Sequence, residues 1–195
     1  MKALMKILIA ALIVGGGTLA YDNLPVHYKR EVQGWYARLW APAFIASPDG
    51  FSGRPQDDVI RELKNKGHEL TCYGNLQREE RINARNDFLC SAYISTAYDN
   101  IPARMVTYFF SKGALSNVRI EFPSSSFAQV QDYLSRKMAG RTRLDKLPHN
   151  DFGTDNFGAR LMVWAVPDGL LVTSSKEVPG HPTILLWSSL RPQLE

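Results

Sequence analysis

RMVTYFFSKGALSNVRIEF, residues 104–122, is the stretch that decides the fold. Two runs rich in β-branched and aromatic residues, 104–110 and 115–122, flank Ser111-Lys112-Gly113-Ala114, which is the composition of a β-hairpin. In the second run Val118, Ile120 and Phe122 alternate with Asn117, Arg119 and Glu121. Successive side chains of a strand point to opposite faces, so this alternation predicts one buried and one wet face. The next segment of chain supplies cover as a helix. Ser126 and Gln129 have capping-box spacing, Phe127, Val130, Leu134 and Met138 form an apolar stripe, and Gly140 ends the helix.

Strand-like runs continue on both sides, at 69–76 and 88–94 upstream and at 159–166, 169–174 and 183–188 downstream. A helix is expected over 55–66: Pro55 stands in its first turn, Asp57 and Asp58 near its start, and Lys64, Lys66 and Gly67 at its end. That order of charges suits the helix dipole. The stretch 46–54 reads as a linker. Bunched strands with interspersed helices predict an α+β fold, an antiparallel sheet of about six to seven strands with helices packed on one face, preceded by an N-terminal hydrophobic helix. The single α+β domain is assigned to 55–195.

Cys72 and Cys90 lie in two of the strand-like runs, with the mixed-charge stretch 77–87 between them. If the runs pair antiparallel, the two thiols face each other across the ladder and form a disulfide. The 77–87 stretch neutralises its own charge and reads as an exposed loop tip.

The N-terminus points to export. Lys2 and Lys6 bracket a short basic region, 7–14 is uncharged and apolar, and Gly15-Gly16-Gly17-Thr18-Leu19-Ala20 offers small residues for cleavage. Residues 1–20 are therefore a signal peptide or a membrane anchor, the shortness of the apolar run favouring the first and the flanking lysines permitting the second. Either way the domain lies outside the cytoplasm, periplasmic in a bacterial envelope and possessing a disulfide suited to that compartment.

Residues 21–45 are read as a juxtamembrane amphipathic helix, with its clearest period over 27–42. Tyr28, Val32, Trp35, Tyr36, Leu39 and Trp40 share one face, and Lys29, Arg30, Gln33 and Arg38 lie opposite. Beside a retained anchor, Lys29, Arg30, Trp35, Tyr36 and Trp40 are candidates for the membrane interface. After cleavage the aromatic face packs on the domain instead.

Of the net charge of +4, half belongs to Lys2 and Lys6, which leaves 21 basic against 19 acidic residues in the remainder. A nucleic-acid partner would require a concentrated basic face, and none is evident. The four histidines, His27, His68, His149 and His181, are scattered singly, and no nucleophile elbow, zinc-binding pair, phosphate loop or dinucleotide fingerprint occurs. The acid- and amide-rich stretch 149–158 fails the calcium-loop spacing and is expected to be a turn-rich connection. Arg141, Arg143 and Lys146 are expected to sit in a solvated loop.

No catalytic residue, metal ligand or cofactor is therefore assigned. The expected function is that of a non-enzymatic exported envelope protein that binds a protein partner at or near the membrane, of inhibitor, immunity or assembly type. One alternative is a small envelope hydrolase or transferase, in which His68, His149 or His181 meets a carboxylate and a serine in a pocket. Another is a lipid- or glycan-binding module with an apolar cleft between sheet and helix.

Overall fold

In the computed structural model, which describes residues 35–36, 38–148 and 150–190, the described residues from Trp40 onward form one compact unit. Its elements run α1 (Gln56–Asn65), β1 (Thr71–Gly74), β2 (Phe88–Tyr93), β3 (Thr96–Ala97), β4 (Ile101–Pro102), β5 (Met105–Ser111), β6 (Ala114–Phe122), α2 (Phe127–Lys137), β7 (Leu161–Val166), β8 (Gly169–Ser174) and β9 (Thr183–Ser189). The expected hydrophobic helix at 1–20 lies outside the described residues.

Seven strands form one antiparallel sheet in the order β1-β2-β5-β6-β9-β8-β7, and β3 and β4 make a separate two-stranded ribbon. The sheet is two meanders, β1-β2-β5-β6 and β7-β8-β9. Helix α2 leads from one to the other, and β9 pairs antiparallel with β6 in the middle. The central pair carries the most apolar inward face: Val118, Ile120 and Phe122 on β6 and Leu185 and Trp187 on β9 are at most 1% exposed. Both helices pack into this same cluster, α1 by Val59 and Leu63 and α2 by Val130, Tyr133 and Leu134. Each such side chain contributes roughly 1.5–3 kcal/mol on burial.

Local chemistry explains the turns. Lys112 and Gly113 both have positive φ, 50° and 75°, which is the tight two-residue geometry that matches strand twist. Gly169 opens β8 where a Cβ would come within 2.3 Å of the Ser188 carbonyl oxygen and 2.7 Å of Trp187 Nε1. Only glycine allows β8 that close to β9. Helix α1 is tied to the β5–β6 turn by Gln56 N–H donating to Gly113 O and Leu115 N–H donating to Arg54 O, each 2.8 Å.

Four expectations need correction. The 46–54 stretch is packed rather than a linker: Phe51 belongs to the core, lying 5.7 Å from Trp187 between ring centroids, and Ala46 packs against the same cluster. Ser126 does not cap α2 with its side chain, because its hydroxyl donates to Pro102 O at 3.0 Å. The 77–87 stretch is exposed over most of its length, as expected, but it is not a projecting tip. It folds over the second face of the sheet, where Leu76 and Ile82 join Leu89 and Phe109 in a small satellite cluster. Finally, the wet side of β6 is not uniformly wet, since Asn117 is 1% exposed beneath that loop.

A β-bulge makes this possible. Phe109 pairs with Asn117 and Phe110 with Leu115, so Ser116 is the extra residue. Ser116 and Asn117 then meet the loop together: Asn86 Nδ2 donates to Ser116 Oγ at 2.7 Å, and Asn83 Nδ2 donates to Asn117 Oδ1 at 2.9 Å. Such a network is stable under cover because its members satisfy one another.

Candidate functional site

The disulfide is the one expected site feature that the fold closes. Antiparallel pairing sets Cys72 opposite Cys90, their Cα atoms lie 4.1 Å apart, and the sulfurs are bonded. Bonds of this kind persist in oxidising compartments, which is compatible with export. Among the described residues no helix is long and apolar enough to cross a membrane. Of the interface candidates, Lys29 and Arg30 lie outside the described residues, Trp35 and Tyr36 are helical, and Trp40 follows the helical turns with 80% of its surface exposed.

The second face of the sheet divides in two. Over the first meander it is polar or covered: one row across the strands reads Thr71, Ser91, Thr107, Arg119, and the neighbouring row lies under the 77–87 loop. Along that first row the second meander continues with Leu186, Val172 and Val163. Leu161, Val172, Ile184 and Leu186 line an apolar depression of about 210 Å³, with Phe157, Val178 and Pro182 in its walls. Ile184 is 37% exposed. The wall is stiff. Asp155 accepts from the Phe157 and Ala159 N–H groups, 2.9 Å each, and from the Ser174 hydroxyl at 2.6 Å, while the Phe157 ring sits 4.2 Å from that of His181. Burial would raise the Asp155 carboxyl, but these donors together outweigh it and hold the group below its ordinary value. From 150 to 158 the connection is thus built from turns whose carboxylates serve its own backbone, with Gly153 and Gly158 at positive φ.

The neighbouring basic residues are engaged. Arg141 pairs with Asp49 at 2.9 Å, and Arg143 pairs with Asp145 at 2.7 Å while lying 4.6 Å over the Trp164 ring. Arg143, only partly exposed, departs from the solvated loop expected of Arg141, Arg143 and Lys146, whereas Arg141 and Lys146 are exposed as expected. Arg143 first, and then the Val163 N–H, hold the Asp145 carboxyl below its usual range against burial.

A second depression, about 270 Å³, lies on the other face between α1, the 44–54 stretch and strands β5 and β6. Phe51, Val59, Leu63, Tyr108 and Leu115 make its apolar side. Its polar side brings together Arg54, Glu62, Lys66 and His68. Glu62 accepts from Lys66 Nζ at 2.5 Å and pairs with Arg54 Nη1 at 2.6 Å, and these two partners hold its carboxyl below the ordinary range. His68 is 5% exposed, and its Nδ1 has no partner among the described residues. Burial, with Lys66 nearby, pulls its pKa down, so the ring is neutral at pH 7.

This cavity gathers the residue types a hydrolase would use, but not in relay. Ser47 donates to Asp49 at 2.5 Å rather than towards His68, and both oxygens of Glu62 are held by cations. His149 lies outside the described residues, and His181 packs against Phe157 with its ring tilted by 42°. Among the described residues no group of three or more histidines, cysteines and carboxylates is placed to hold a metal ion. Sequence reasoning located neither depression, although the binding-module alternative called for a cleft between sheet and helix, which is where the second one lies. The only signal for the second was the i,i+4 spacing of Glu62 and Lys66, an ordinary helix pair.

The neutral His68 has a consequence for stability. A base whose folded pKa is depressed takes up fewer protons in the fold than in the unfolded chain, so stability falls as pH drops through the unfolded value near 6.5. The carboxylates Glu62, Asp145 and Asp155 act in the same direction, but only nearer their own ordinary values of 4.5 and 3.8. Urea unfolding at about pH 7.5 and about pH 5.5 is expected to show lower stability at the acid value, and His68→Gln to flatten that difference. An unchanged pH difference in the variant would remove His68 as its cause.

Comparison with known proteins returns no match to any family model, curated protein or solved structure.

Proposed function

We propose that this chain is a non-enzymatic exported envelope protein that binds a protein partner through the apolar half of its second sheet face. The observation that carries this reading is the division of that face. The chain covers one half with its own 77–87 loop and leaves Leu161, Val172, Ile184 and Leu186 facing outward on the other. Contiguous apolar surface with a polar border is characteristic of a contact site. Arg119 and Glu121, paired at 2.6 Å, stand on one border, and Lys176 and Asp155 on the other. The leader at 1–20 and the disulfide support an oxidising, extracytoplasmic location. In this reading Lys29, Arg30, Trp35, Tyr36 and Trp40 hold the domain beside the membrane, and the partner is an envelope protein subject to inhibition, immunity or assembly.

Ile184→Lys tests the surface with little risk to the fold. Residue 184 pairs across the strands with Glu121, so a lysine there gains an opposite charge. Affinity capture from detergent-solubilised envelope is expected to recover a discrete partner with the native chain. The variant should bind that partner at least about tenfold more weakly, the effect of losing one well-packed anchor. Equal recovery by both, or none by either, would count against the reading.

A further inference from the structure

We propose that the cavity beneath α1 binds a small amphipathic monocarboxylate, its chain against Phe51, Val59, Leu63 and Leu115 and its carboxylate between Arg54 and Lys66. This site is separate from the sheet face that carries the proposed partner. The cavity is two-sided in the manner of a ligand pocket, apolar on one wall and charged on the other. Charge selects the ligand. Arg54 and Lys66 face a single protein carboxylate, Glu62, and a second carboxylate balances the count. Both cations are charge-assisted donors suited to an oxygen acid. The three charged side chains are 39–44% exposed, so the head group remains at the mouth, where it is partly hydrated. His68 adds a buried ring nitrogen, Nδ1, that has no partner among the described residues.

Size sets the chain. A volume of about 270 Å³ holds about nine water-sized groups at roughly 30 Å³ each. A chain of seven or eight carbons therefore fills it, and octanoate is the probe.

Titration calorimetry of the full chain should show octanoate binding. Octanol, which lacks the charge, and acetate, which lacks the chain, should each bind at least about tenfold more weakly, because a charge-assisted hydrogen bond or a buried chain is lost. The paired variants move in opposite directions. Arg54→Gln with Lys66→Gln should weaken octanoate about tenfold, whereas Glu62→Gln should strengthen it by releasing both cations. Methyl shifts on binding should map to Val59, Leu63 and Leu115, and Ile184→Lys should bind octanoate like the native chain. Absence of binding at millimolar octanoate, equal binding of octanol, weaker binding by Glu62→Gln, or shifts confined to Leu161 and Val172 would each overturn the assignment. Loss of the protein partner in Ile184→Lys with octanoate binding retained separates this site from the sheet face.

Discussion

Replacing Trp187 by alanine is expected to remove about 4 kcal/mol of stability, the cost of emptying a tryptophan-sized space in a packed core. For a chain of this length that lowers the melting temperature by roughly 8–16 °C. Trp187 is fully buried on β9, which pairs with β6 on one side and β8 on the other, and its cross-strand partners are Val118 and Leu171. Phe51 packs on its ring from the 44–54 stretch, so the indole joins the two meanders to the segment leading into α1. The side chain also has a defect: its Nε1 is buried without an acceptor among the described residues, which costs about 1–3 kcal/mol. Trp187→Phe removes that donor while keeping most of the ring. It is therefore expected to lose under half of what alanine loses. Calorimetric melting of the two variants checks this, and a phenylalanine loss of half the alanine loss or more would show that relief of the unpaired N–H does not offset the missing ring.

The outline of the fold was legible because its strands and helices are marked locally. Alternation at Asn117–Phe122, the charge order around α1 and the antiparallel placing of Cys72 against Cys90 all reappear in the structure. The failures share a cause: each depends on a partner far along the chain. Nothing near Phe51 announces Trp187, and nothing in 77–87 announces that Asn83 and Asn86 will bond Asn117 and Ser116. One missed signal was local. Leu115 and Val118 are three residues apart although both face the helices, and that break in period is the bulge at Ser116.

The two depressions were less legible still. Strands β7, β8 and β9 are nearly continuous apolar runs, so nothing in their pattern says which residues face out. Leu161, Val172, Ile184 and Leu186 become a surface only once Trp164, Leu171, Leu185 and Trp187 have taken the core side. The cavity beneath α1 draws Arg54 from before the helix, Glu62 from its last turn, Lys66 and His68 from just beyond it and Leu115 from the hairpin. Such a set exists only after α1 has docked beside the β5–β6 turn.

Loss of the Cys72–Cys90 bond is expected to cost about 3 kcal/mol, the chain entropy released when a loop of 18-residue separation opens in the unfolded state. The melting temperature then falls by roughly 6–12 °C. Cys72→Ala with Cys90→Ala is the suitable variant, because Cys90 is fully buried and serine would bury an extra hydroxyl. The loss is not spread evenly. β1 is a four-residue edge strand paired only with β2, so without the bond it opens first. The enclosed loop keeps its hold on Phe109, Ser116 and Asn117, which come from the centre of the sheet. Hydrogen exchange should therefore rise at 71–74 well before it rises in β5, β6 or β9. Thiol titration of the unreduced, denatured protein should find no free thiol, and two reactive thiols would remove the premise. An unchanged melting temperature in the double alanine variant would instead mean that the unfolded chain already keeps these two strands together, so that the bond constrains nothing.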